Sequence, residues 1–208
     1  MRSLAVLLAT VVALGVAAPA LADADPASDY LLGTAVYIPP DSGMSPAYQQ
    51  QLRAVVARAR VAGFRIKVAV IQSRYDLGSV FVLFKKPKTY ARFLGQELRF
   101  LYKDRLLTVM PNGLGYSRGG IAQPAGQAVV DKLPPPGSTG AGLAATATRA
   151  VVALAAAEGV KVAMPPLNTP KSTTTSDRIV LVASAVGILL VAGLVFGGLR
   201  LRRLRSAA

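Results

Sequence analysis

Phe64-Arg65-Ile66-Lys67-Val68-Ala69-Val70-Ile71-Gln72 is the stretch that decides the fold. Val68, Ala69, Val70 and Ile71 are apolar at successive positions, so a strand here is buried on both faces. Such a strand lies in the middle of a sheet and usually has parallel neighbours. Upstream, Ser45-Pro46 starts a helix, with serine as the cap and proline at the first helical position. Tyr48, Leu52, Val55 and Ala59 then recur at helical spacing, and Gly63 ends the run. Downstream, residues 88–100 predict a second helix with Tyr90, Phe93, Leu94 and Leu98 inward. Residues 105–110 predict another doubly buried strand, stopped by Pro111-Asn112-Gly113. Residues 127–133 predict a short helix and residues 138–158 an Ala-rich one, with Leu143, Val151 and Leu154 on its apolar side. Residues 23–43 read as mostly extended, with a short strand at 34–38. This alternation predicts an α/β domain, a layered α/β sandwich with a central, largely parallel sheet.

The two ends of the chain read differently. Residues 179–199 carry no charge and stop against Arg200, Arg202, Arg203 and Arg205. A helix of about 20 apolar residues spans a bilayer core of about 30 Å. The expectation is therefore one C-terminal transmembrane helix at 179–199, with the Arg-rich tail 200–208 held in the cytoplasm by the positive-inside rule. At the other end, Arg2, the apolar residues 4–16 and Ala20-Leu21-Ala22 have the pattern of a signal peptide over residues 1–22. The alternative is an uncleaved membrane helix, and both readings put the middle of the chain outside. That middle divides into a domain, residues 23–160, and a stalk, residues 161–178, with Pro165, Pro166, Pro170 and a Ser/Thr cluster. Gly193 and Gly197, four apart in the membrane run, permit close helix approach and hence a homodimer.

Composition excludes several chemistries. The chain has no cysteine and no histidine. Disulfides, thiolate nucleophiles, Ser/His dyads and His-based zinc sites are therefore absent. Of 24 basic residues, Arg2 and the four tail arginines fall outside the exported part, while all 10 acids fall inside it, a net of about +9 there. A surface of that sign suits anionic lipid headgroups, a cell-wall polyanion or an acidic partner, or is simply solvated. Nucleic acid is not expected, since export signals are present and an aromatic-basic stacking motif is not.

In open α/β sheets ligands bind beyond the carboxyl ends of the strands. That rule selects Arg74, Tyr75, Asp76 and Ser79 after the first strand, and Asn112, Gly113, Gly115, Tyr116 and Arg118 after the second. Gly113-x-Gly115 reads as a tight turn, not a dinucleotide loop, because Pro124 stands where the following helix should run. Arg74 and Arg118 are the candidates to grip an anion through their planar forks. Asp76 and Asp104 are the candidate ligands for calcium or magnesium, which take oxygen donors. The competing reading makes Asp76 a cap and Asp104 the end of a turn. Lys85-Lys86-Pro87-Lys88 is a basic knot suited to a headgroup surface, a partner or a solvated helix start.

On these residues the chain resembles the TPM domain family, which includes the thylakoid lumen protein of photosystem II repair and many membrane-anchored bacterial proteins. Residues 30–158 show the family's order of helix, Val-rich strand (66–71), helix with a Tyr90-Ala91 pair, Leu106-Leu107 strand and Gly113-x-Gly115 turn. The family's Asp-x-Gly-Leu-Leu segment matches Lys103-Asp104-Arg105-Leu106-Leu107, with Arg105 in place of the glycine. Its Gly-Tyr-Gly-Leu-Glu turn is similar to Gly113-Leu114-Gly115-Tyr116, but Ser117 and Arg118 follow where the acid belongs. The resemblance implies an α/β sandwich and, for some members, weak acid phosphatase activity or divalent-metal binding. Both departures remove features that favour a metal. The expected function is a membrane-anchored extracytoplasmic binding or scaffold domain, in envelope protein quality control, with an unidentified membrane or envelope protein as partner. No residue is assigned a catalytic role. The alternative is a weak metal-assisted acid phosphatase, with Asp76 and Asp104 on the metal and Arg74 on the phosphate.

Overall fold

The structure is a computed structural model that describes residues 25–168. The expected signal peptide, the membrane helix with Gly193 and Gly197, the tail and most of the stalk lie outside the described residues. Within them the fold is α/β, with helices on both faces of a five-stranded sheet.

The chain enters through α1 (Pro26–Gly33). This helix corrects the expectation of an extended segment. Asp25 caps it by accepting from the Ala27 amide at 3.1 Å, and Pro26 occupies the first turn. After β1 (Val36–Tyr37), α2 (Pro46–Val61) runs back to deliver β2 (Ile66–Val70). A 3-10 stretch, Arg74–Leu83, kinked at Gly78, leads into α3 (Pro87–Glu97). Then come β3 (Arg105–Met110), β4 (Gly113–Arg118), β5 (Ile121–Ala122), α4 (Pro124–Val130) and α5 (Gly140–Ala157).

Strands lie in sequence order, β1-β2-β3-β4-β5. The pairs β1–β2 and β2–β3 are parallel, whereas β3–β4 and β4–β5 are antiparallel. The sheet is thus mixed, and the largely parallel expectation holds only for its first three strands. The cause is the reversal at Pro111-Asn112: Met110 pairs with Gly113, so the chain returns along β3 at once. Residues expected to form a glycine-rich loop are a strand instead.

Each strand sends alternate side chains to opposite faces. Val68, Val70, Leu107, Val109, Leu114 and Tyr116 meet Leu52, Val55 and Val56 of α2 and Leu143, Ala147 and Val151 of α5. Tyr37, Ala69, Ile71, Leu106 and Met110 meet Ala27 and Leu31 of α1 and Tyr90 and Leu94 of α3. By length and composition α5 is apolar enough to cross a membrane, but its inward face is core.

Helix α3 lies unusually close to the sheet. A Cβ on Gly115 would fall 2.0 Å from the Pro87 carbonyl oxygen, and one on Gly95 would fall 2.6 Å from the Gly120 nitrogen. The bare backbone admits the helix. Thr108 then donates to the Pro87 carbonyl at 2.9 Å and Ser117 to the Ala91 carbonyl at 2.6 Å. These hydroxyls are buried, and both are satisfied. The outer edge of β4, where β5 is too short to reach, is closed by Gln127 of α4. Its oxygen accepts from the Tyr116 amide at 2.8 Å and its nitrogen donates to the Leu114 carbonyl at 3.0 Å. After α5 the chain doubles back along α2, where Arg58 donates to the Ala163 carbonyl at 3.3 Å and Gln51 to the Pro165 carbonyl at 2.8 Å.

The cap of α1 carries an electrostatic cost. Asp25 is only 4% exposed, and the Tyr90 hydroxyl lies 2.8 Å from both its oxygens. Burial raises the Asp25 pKa to about 6, against the opposing hydrogen bonds from Tyr90 and Ala27. The folded state therefore holds a proton that the unfolded chain releases near pH 4. The stability from this group is complete below about pH 4 and is lost as pH rises through 6. Two units correspond to about 3 kcal/mol as an upper figure. Chemical unfolding should show Asp25→Asn flattening the pH dependence between 4 and 6. Tyr90→Phe should cost more at pH 8 than at pH 4, since only the ionised carboxylate needs the lost donor. Equal costs at both pH values would sink this account.

Candidate functional site

The parallel strands β2 and β3 give the molecule two distinct ends. Their carboxyl end carries the 3-10 stretch, the β3–β4 turn and the start of α3. Their amino end carries the end of α1, the end of α2 and the loop from Leu98 to Asp104.

The residues expected to form one crevice divide between these ends. Arg74, Tyr75, Asp76 and Ser79 lie on the 3-10 stretch, and Asn112 and Gly113 on the turn, all at the carboxyl end. Gly115 and Tyr116 lie within β4, one against α3 and the other against α4 and α5. Arg118 pairs with Arg105 at the first residue of β3, so it belongs to the amino end. Arg74 and Arg118 therefore do not share an anion. The Arg74 guanidinium lies instead over the rings of Tyr75 and Phe81, at 5.7 and 5.2 Å.

The proposed metal pair separates in the same way. Asp76 follows the end of β2, whereas Asp104 precedes β3, beside Arg65. Ile66 pairs with Arg105 and Val70 with Val109, which puts more than about 13 Å of strand between the two carboxylates. No cation of about 2.4 Å ligand distance bridges that gap. Each carboxylate is also engaged. Asp76 accepts from the Gln72 amide at 2.7 Å, the Ser73 amide at 2.8 Å and the Ser73 hydroxyl at 3.0 Å. Asp104 pairs with Arg65 at 3.2 Å. Among the described residues no three Asp or Glu side chains cluster as a metal site. The calcium or magnesium expectation does not fit this donor set.

What the amino end does contain is a basic cleft of about 490 Å³. Arg53 and Arg60 of α2, Arg65 and Lys67 line it, over a floor that includes Leu31, Ile66 and Leu98. Among the described residues no carboxylate lines it, although Asp104 pairs with Arg65 at its edge. Lys67 donates to the Thr34 carbonyl at 2.8 Å and to the Leu31 carbonyl, at the exposed C-terminal turn of α1. Its ammonium also lies 5.0 Å from the centre of the Tyr102 ring. Burial, then the charges of Arg60 and Arg65, hold the Lys67 pKa below its ordinary value. That direction marks a place short of negative charge. Beside the cleft, Arg105 grips Glu158 through two nitrogens, one at 2.8 Å, and stacks 4.3 Å over Phe64. Arg105 thus fastens the end of α5 to the sheet. Burial, then the Glu158 charge, raises the neighbouring Tyr116 pKa to about 12.

The cleft had one signal in the sequence. Arg53 and Arg60 are seven apart, hence on one face of α2, and they point toward the strand that carries Arg65 and Lys67. The strand-end rule directed attention to the other edge.

These placements separate structure from ligand binding by measurement. Asp76→Ala leaves two amides without a partner and should destabilise the fold by about 2 kcal/mol. Asp104→Asn removes one half-exposed ion pair and should cost less than about 1 kcal/mol. Calcium should leave the melting temperature of all three chains unchanged, and a calcium-dependent rise lost in Asp76→Ala would restore the metal reading. Comparison of the chain with models of protein families, with curated proteins and with solved structures gives no match, so the site is read from its own geometry.

Proposed function

We propose that this chain is a membrane-anchored, extracytoplasmic binding domain whose cleft between α1, α2 and the loop after α3 receives an anionic group on a partner. The observation that carries the reading is the cleft itself: Arg53, Arg60, Arg65 and Lys67 face one cavity of about 490 Å³ with no carboxylate among the described residues of its lining. Arginine forks suit carboxylate and phosphate, and the apolar floor favours a group with aliphatic neighbours. An acidic, partly apolar segment of an envelope protein has that chemistry. The proposal gives the domain a binding or scaffold role in envelope quality control, with the uncharged run 179–199 read as the membrane helix and residues 1–22 as the signal peptide. The TPM-like reading and the layered sandwich belong to this proposal, supported by the order of helix, Val-rich strand, helix and Leu-Leu strand and by helices on both sheet faces. The phosphatase alternative required Asp76, Asp104 and Arg74 to converge, and their separation gives it no support.

The test is calorimetric titration of the full chain in nonionic detergent with a peptide of alternating leucine and glutamate. Binding should weaken about tenfold in Arg53→Glu/Arg60→Glu and on raising salt to molar concentration, where screening reaches about 3 Å. A chelator should change nothing. Absent binding, or binding indifferent to the charge reversal, removes the proposal.

A further inference from the structure

The carboxyl end of the sheet presents a second surface, distinct from the cleft. Tyr75 is 83% exposed, Phe81 46% and Val82 62%. They lie on the 3-10 stretch, which continues into exposed Lys85 and Lys86 and the first turn of α3 with Lys88. Arg74 lies over the Tyr75 and Phe81 rings, so a cation is interleaved with the aromatic groups. Two of the carboxylates at this end are engaged, Asp76 in the Gln72–Ser73 turn and Asp131 with Lys88 at 2.8 Å. Lys85 and Lys86 have no acid partner among the described residues. Lys85 adopts a positive φ of 62°, which an L side chain rarely adopts, and Asn112 of the β3–β4 turn holds its carbonyl at 2.7 Å. The fold thus fixes the basic corner instead of leaving it as a loose loop.

We infer that this face docks on an anionic bilayer surface, with Tyr75, Phe81 and Val82 entering the interface and Arg74, Lys85 and Lys86 among the headgroups. Exposed aromatic and aliphatic groups ringed by cations are the chemistry of interfacial binding. The path of the chain selects this end over the other. From Gly159 the backbone turns back along α2, meeting Arg58 through Ala163 and then Gln51 through Pro165. It therefore approaches Asn168 heading toward the start of α2, which is the carboxyl end of the sheet. Residues 169–178 then supply at most about 35 Å of contour before the uncharged run begins at Ile179. So short a contour keeps any bilayer entered at Ile179 within reach of the domain. The inference rests on the anchor reading of residues 179–199 and is independent of what the cleft binds.

The rival is the amino end, where Phe100 is 95% exposed between Arg99 and Lys103. The chain contains no tryptophan, so one introduced indole reports on one place. Full-length Phe81→Trp, Tyr75→Trp and Phe100→Trp chains would be reconstituted into phosphatidylcholine vesicles, with and without phosphatidylglycerol, carrying acyl-chain bromine as quencher. In anionic vesicles the indoles at 81 and 75 should shift to shorter wavelength and lose roughly half their intensity, while that at 100 emits as in water. Lys85→Glu/Lys86→Glu should abolish the quenching at 81. Flotation of the vesicles after carbonate washing reads the anchor separately. Anchored chains with unquenched indoles at 75 and 81, quenching at 100 instead, or quenching that survives the charge reversal would each overturn the docking face. None of these outcomes bears on the peptide titration of the cleft.

Discussion

Helix α3 can lie where it does only because Gly115 carries no side chain. The helix start comes so near β4 that a single methyl would overlap the Pro87 carbonyl. That contact sets the height of α3 on the sheet, and Gly95 against Gly120 sets its tilt at the other end. Everything attached to the helix follows. Its N-terminal side carries the basic corner at Lys85 and Lys86, while its C-terminal side delivers Leu98 and Tyr102 to the cleft. Tyr90, pointing inward from the same helix, meets Asp25 and so ties α1 down, and α1 forms the cleft's other wall. One close approach thus positions residues at both ends of the sheet. Dispersion and buried hydroxyl pairs then hold it, since close packing leaves little room to slide.

The two ends are electrostatically separate because charge does not reach between them. At physiological ionic strength the screening length is about 8 Å, shorter than the strands that separate them. The acids are distributed to match. Asp76, Asp131, Asp104 and Glu158 each have a structural partner. Arg53, Arg60 and Lys67 in the cleft and Lys85 and Lys86 at the corner have no acid partner among the described residues. A basic chain of this size is not evenly positive. Two of its basic clusters lie at opposite ends of the sheet, separated by the packed core.

The core was legible because burial leaves a periodic trace. Val68 to Ile71 and Leu106 to Met110 are apolar on both faces, and the structure sandwiches both strands between helices. The Leu143, Val151 and Leu154 stripe likewise faces inward. Residues 113–118 were misread because glycine is ambiguous. Gly113 and Gly115 suggested a turn, but Gly115 is small to admit a helix, not to bend the chain. Helix α1 was missed although Asp25-Pro26 is a good start, because its short apolar face is completed only by Tyr37 and Tyr90 from distant segments. The metal pair failed for a topological reason: the turn preceding β3 lies at the opposite end from the turn following β2. Strand register, not residue type, decided which charged groups meet.

The return strap after α5 has a mechanical meaning. It is held to α2 by isolated side-chain bonds, from Gln51 to Pro165 and from Arg58 to Ala163, with Val162 tucked beneath. Tension applied from the C-terminal side of Asn168 would load these attachments one after another, beginning at Pro165. Serial loading of this kind yields at low force, whereas the parallel strands beyond would be loaded together and resist. A pull on the chain beyond Pro165 would therefore release this strap first, before it strained the sheet.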